Sequence, residues 1–102
     1  SAVKKNDDAE FAYTLRRNYP NPFNASTTIE IELTATSQIR LEICSSLGRL
    51  IKTLVQDELS PGHYRYIWDG TSDQGMHVTS GVYLCKLITA TEEHSCKMLL
   101  VK

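Results

Sequence analysis

The chain has 102 residues, 41% hydrophobic and 23% charged, with 11 Lys plus Arg against 12 Asp plus Glu for a formal net charge of −1. This is ordinary globular usage in a single domain, which at this length buries roughly 65% of its unfolded surface. The charge balance excludes the basic stripe of a nucleic-acid binder and the polybasic handle of an anionic-lipid binder, and no apolar run approaches the ~18 residues of a transmembrane helix. No charged-then-apolar leader opens the sequence, so Ser1-Ala2 reads as the start of a piece of a longer protein. Cys44, Cys85 and Cys96 are too few and too scattered for a disulfide framework, and no Cys/His spacing points to a metal; no cofactor is expected.

Residues 1–14 are expected to be a linker and residues 15–102 the domain, because Ser1–Glu10 carries Lys4-Lys5 and Asp7-Asp8 with almost no apolar content. Phe11, Tyr13 and Leu15 alternate with small or polar residues, which allows a short strand to begin there. In Asn18-Tyr19-Pro20-Asn21-Pro22-Phe23-Asn24 each proline fixes its own φ and keeps the preceding residue out of the helical region. This segment is expected to be rigid and irregular, with Tyr19 and Phe23 plugging one end of the core.

From Ser26 onward the chain reads as strand after strand. Ile29, Ile31 and Leu33 alternate with Glu30 and Glu32; Ile39, Leu41 and Ile43 alternate with Arg40, Glu42 and Cys44. Gly48 suits a left-handed position in the next turn. Leu50–Val55 follows as a strand whose imperfect alternation predicts a bulge. Ser60-Pro61-Gly62-His63 fits a type II turn. Tyr64, Tyr66 and Trp68 then share one strand face, and Tyr83, Cys85 and Leu87 share one face of a later strand. Between these two, Asp69-Gly70 and Asp73-Gln74-Gly75 supply turn residues, and Met76–Val78 is expected to add a short edge segment. A last strand is expected over Ser95–Val101. The sum is all-β, an immunoglobulin-like antiparallel sandwich of about seven short strands, without the Cys/Trp/Cys hallmark of antibody domains.

Several features invite a chemical reading. Tyr64, Tyr66 and Trp68 make either an aromatic platform for sugar rings or inward-facing core. Asp69 and Asp73, with Asn24, make either a calcium site or turn caps, and the dense oxygen ligands and closing Glu of an EF-hand loop are absent. His63, Ser80 and Asp69 form a triad only on paper, and no nucleophile elbow, phosphate loop or zinc helix motif occurs. No catalytic residues are assigned and an enzyme is not expected. Asn24-Ala25-Ser26 matches a glycosylation sequon that carries no weight alone. Cys85 and Cys96 oppose each other if the last hairpin turns near Ala90-Thr91, and free thiols or a disulfide both remain open.

With these residues in hand, the chain resembles the C-terminal sorting domains of the type IX (Por) secretion system. The resemblance runs from Leu15 to Lys102. It rests on Asn18–Asn24 followed by Ser26-Thr27-Thr28-Ile29, then Leu47-Gly48-Arg49, Leu59-Ser60-Pro61-Gly62, Trp68-Asp69-Gly70, Ser80-Gly81-Val82-Tyr83 and Lys97-Met98-Leu99-Leu100-Val101-Lys102, in that order. Ala25, Cys44, Cys85 and Thr89-Ala90-Thr91 depart from the family pattern. The same landmarks are similar to the immunoglobulin-like domain of flagellar hook-capping proteins.

The resemblance implies a non-catalytic secretion signal that directs an attached cargo across the outer membrane of a Gram-negative bacterium for release or surface attachment. The implied partners are the outer-membrane secretion machinery, a sortase-like peptidase cutting within or before Ser1–Glu10, and an N-terminal cargo. Gly81, Val82, Tyr83, Lys97, Met98, Leu99, Leu100, Val101 and Lys102 are the expected recognition residues; Tyr19, Pro20, Pro22, Phe23, Gly48, Trp68, Asp69 and Gly70 are structural landmarks. The competing readings are a spacer module of the hook-capping kind and a carbohydrate-binding module of a secreted hydrolase.

Overall fold

A computed structural model describes residues 13–102, all of it strand and turn. The strands are β1 (Tyr13–Leu15), β2 (Thr27–Leu33), β3 (Ser37–Ser45), β4 (Leu50–Leu59), β5 (Gly62–Trp68), β6 (Gly81–Ile88) and β7 (Glu93–Leu100). They form two antiparallel sheets in the orders β1-β2-β5 and β4-β3-β6-β7. The domain is therefore an all-β, immunoglobulin-like sandwich.

The period-2 pattern places the core where the sequence predicts it. Ile29, Ile31 and Leu33 of β2 face Ile39, Leu41 and Ile43 of β3 and Tyr83, Cys85 and Leu87 of β6 across the sandwich, and all are buried. Each fully buried aliphatic side chain contributes roughly 1.5–3 kcal/mol. The aromatic strand β5 lies opposite β6 rather than beside it. Trp68 is completely buried, with its ring 5.2 Å from Tyr83 and 5.6 Å from Phe23. Tyr64 and Tyr66 are half-buried against the same core. The inward-facing reading of these aromatics holds, and a sugar platform would lack its largest ring, which has no exposed face.

Other expectations need correction. Phe11 and the sequence up to Ala12 lie outside the described residues, and so does the linker Ser1–Glu10. Tyr13 and Thr14 pair with Leu33 and Glu32, so the sheet begins before the boundary at Leu15. Tyr19 is 80% exposed instead of plugging the core. Its backbone pairs with Thr28, whose side chain lies on the outer face of β2, and directly opposed residues share a face. Phe23 alone fills the core end.

Strand β4 runs on to Leu59, and the expected bulge appears twice, where Leu54 and Ile51 are skipped in the register with β3. Gly62 has φ 152°, far from the +80° of a type II turn. The reason is topological: Ser60-Pro61 carries the chain from one sheet to the other rather than closing a hairpin. Met76–Val78 forms only a bridge, Thr71 to His77, rather than a strand. Cys44 lies on the outward parity yet is buried, because Leu50 and Leu84 flank it in register on both sides.

Trp68→Ala should destabilise the domain by about 3–5 kcal/mol in urea unfolding, as large aromatic deletions in cores do. Tyr19→Ala should stay within about 0.5 kcal/mol of the parent.

Candidate recognition surface

Two stretches that the sequence marks, Asn18–Asn24 and Trp68–Gly75, turn out to guard sheet edges. An exposed strand edge invites pairing with other chains. The outer edge of β7 is closed by Asn21 and Phe23. Asn21 Nδ2 donates to Lys97 O (3.1 Å) and Asn21 Oδ1 accepts from Leu99 N (2.9 Å), so its side-chain amide stands in for a peptide group. Phe23 N donates to Leu99 O (2.9 Å) and Val101 N donates to Phe23 O (2.8 Å). Upstream, buried Asn18 donates through Nδ2 to Thr27 Oγ1 (2.9 Å), fixing the approach of this segment.

On the far side, the Trp68–Gly75 turn covers the start of β4. Gly70 takes φ 79°, a left-handed conformation that favours glycine. Trp68 Nε1 donates to Thr71 O (2.9 Å). Asp69 Oδ1 accepts from Thr71 Oγ1 (2.6 Å) and Thr71 N (3.2 Å), and Asp73 Oδ1 accepts from Thr53 N (3.2 Å). Both carboxylates thus cap backbone, which accounts for them without a calcium ion. The residues of the paper triad are committed elsewhere: His63 to Glu32 (3.4 Å), Ser80 to Lys102 N (2.9 Å), and Asp69 to Thr71.

Of the expected recognition residues, Tyr83, Met98 and Leu100 are buried and can act only by holding their neighbours in place. Val82 and Leu99 are register partners on the outer face, each 38% exposed, and Val101 beyond them is 49% exposed. Lys97 and Lys102 are also exposed, and Gly81 starts β6. The register extends this patch to residues that the sequence did not single out. Leu50, Cys44, Leu84 and Lys97 form one row across all four strands. Asn21, Pro22, Val82, Lys97, Met98 and Leu99 line an adjoining pocket of about 300 Å³. The result is an apolar patch with a cationic margin at the end of the sandwich where β7 finishes. The parity of Val82 and Leu84 in β6 was the available signal; that β3 lies on the other side of β6 was not legible locally.

The chain was then compared with known proteins. A model of the FlgD Ig-like domain family matches residues 19–93. No curated protein matches the chain. Among solved structures, latent dimeric PorU from Porphyromonas gingivalis is similar with a TM-score of 0.66 and 22% identity over 87% of this chain and 9% of PorU. PorZ from the same organism, described as an essential bacterial surface component of the type-IX secretion system, gives 0.57 and 24% over 84% of this chain and 11% of PorZ. FlgD from Xanthomonas campestris, described as a hook-capping protein essential for flagellar assembly, gives 0.58 and 20% over 86% and 66%. The chain thus spans about a tenth of the two Por proteins, and these likenesses establish a shared fold.

The turn that holds Trp68 contains a carboxylate whose charge it favours. The Thr71 hydroxyl, aided by backbone N–H groups and Lys52, holds the Asp69 carboxyl below its usual range. A depressed folded pKa adds stability above the unfolded value of about 3.9 and loses it as pH falls through the folded value. Asp69→Asn should therefore flatten the loss of urea stability below about pH 4, measured beside the parent.

Proposed function

Because the chain belongs to the family of FlgD Ig-like domains, a family of structural modules, we propose that it is a non-catalytic docking module, and that its docking serves type IX secretion. In this reading the domain is a folded address carried by a cargo. The residues before β1 tether it to that cargo, and its outer-membrane machinery reads the patch around Val82 and Leu99. A sortase-like peptidase would act within or before Ser1–Glu10, and the cargo would be released or attached at the cell surface.

The observation that carries the reading is the convergence of the ordered motifs on one end of the sandwich. Asn21 and Phe23 bond to β7, Phe23 packs on Trp68, and Trp68 packs on Tyr83. The patch formed by Val82, Leu99 and Pro22 lies directly over this cluster. A second reading, a structural module of the hook-capping kind, draws on the family match itself and on the likeness to FlgD.

Removing Lys97–Lys102 would be a poor test, since it also removes Met98 and Leu100 from the core. Val82→Asp and Leu99→Asp change outer-face side chains and leave the inward-facing core residues in place. Fused to a reporter in a bacterium with the type IX machinery, the parent domain should place the reporter outside the cell. Each variant should reduce export about tenfold or more while melting like the parent, because a charge is placed in a desolvated contact. Full export by both folded variants would remove this patch from the mechanism. Failure of the parent domain to export at all would favour the structural-module reading.

A further inference from the structure

Cys85 of β6 and Cys96 of β7 stand directly opposite each other in register. Opposed residues on antiparallel strands share a face, here the inner one, with Cys85 fully buried and Cys96 half-buried at the seam between the sheets. The backbone of Leu99 turns away from β6 to bond Asn21 and Phe23. The alternation of the ladder then turns the Cys96 backbone toward β6, which sets the two Cα atoms about 5.5 Å apart. That Cα spacing is one a disulfide spans, and closing the bond draws the Cβ atoms together from the roughly 5.5 Å of a hydrogen-bonded pair to about 4 Å. Cys44, although on the neighbouring strand, points to the opposite face beside Leu50 and Leu84 and cannot join the pair.

The surroundings of the two sulfurs differ. Cys96 lines an open pocket of about 450 Å³ with Arg17, Asn21, Ser95 and Lys97. The hydrogen bond from Cys85, with the Asn18 backbone N–H and the Arg17 charge, holds the Cys96 thiol down to about 7. That same hydrogen bond, together with burial, pushes Cys85 up. One sulfur is thus reachable from a pocket lined by Arg17 and Lys97, and the other lies fully buried behind it.

We propose that Cys85 and Cys96 form an oxidisable dithiol, in which Cys96 attacks an incoming disulfide and Cys85 resolves the adduct. The oxidant is a disulfide, either a small one such as oxidised glutathione or that of a dithiol oxidoreductase. Cys96 Sγ⁻ attacks one sulfur of RS–SR, forming Cys96–S–SR and expelling RS⁻. Cys85 then gives up its proton, its sulfur attacks Cys96 Sγ, and the second RS⁻ leaves. Two protein thiols lose two electrons and two protons, and the oxidant is reduced to two RSH. The arginine and lysine at the pocket mouth favour an anionic oxidant and stabilise the leaving thiolate.

The test uses the whole chain and oxidised glutathione, read by intact mass and peptide mapping. Cys44→Ala should lose two hydrogens and yield a peptide linked between Cys85 and Cys96. Cys85→Ala should stop with glutathione on Cys96. Cys96→Ser, a near-isosteric change at a half-buried position, should leave Cys85 unmodified while folded. Retention of both thiols in Cys44→Ala, a link through Cys44, or an unmodified Cys96 in folded Cys85→Ala would each overturn the proposal.

Discussion

The indole of Trp68 is the contact on which the rest of the domain depends. It ends β5 of one sheet, packs on Tyr83 of the other, and packs on Phe23 of the irregular segment that precedes β2. Its N–H is satisfied by Thr71 O, so the ring is buried without an orphaned donor. One side chain therefore joins both sheets, the turn covering β4 and the segment covering β7. Because these elements meet in a single close-packed cluster, none can shift without disturbing the others.

The same cluster determines which edges stay open. Sandwiches must manage four edge strands, and this one closes two of them with irregular chain rather than with more strands. Asn21 does so by presenting its side-chain amide as a counterfeit peptide to Lys97 and Leu99. On the outer face of the smaller sheet, Arg16, Glu32 and His63, with Glu30 and Arg65, form a cross-strand ladder of charge pairs. Such exposed pairs contribute little stability, but they keep that face wet. Among the described residues, the opposite face around Leu84 and Val82 carries no comparable ladder at its β7 end, and it is there that apolar surface remains exposed.

Much of this was legible in the sequence because strands have a period of two. The inward faces of β2, β3, β5 and β6 follow directly from alternation, as do the bulges in β4 from its failure. What alternation cannot give is which strand lies beside which. Hence the opposition of β5 and β6 as facing walls was not readable, and Ser60–His63 read as a type II turn when it is a passage between sheets. Tyr19 and Cys44 were misplaced for the same reason. Their burial depends on long-range partners, Thr28 for one and Leu50 with Leu84 for the other. The opposition of Cys85 and Cys96 was readable because the hairpin between them is short and closes through Thr89 and Glu92.

The final strand shows why recognition and stability are hard to separate in such a domain. Cys96, Met98 and Leu100 face inward while Lys97, Leu99 and Val101 face outward, so alternate residues of one short run hold the fold and present the surface. This strand therefore carries two superimposed constraints. Packing against Trp68 and Tyr83 fixes the inward set, and the outward set is free to be selected by a partner. The outward residues are also pinned in space, since Leu99 is bonded through its backbone to Asn21 and Phe23, and Lys102 to Ser80. Any partner binding there would meet a preformed strand, and binding would not have to supply the entropy of ordering it.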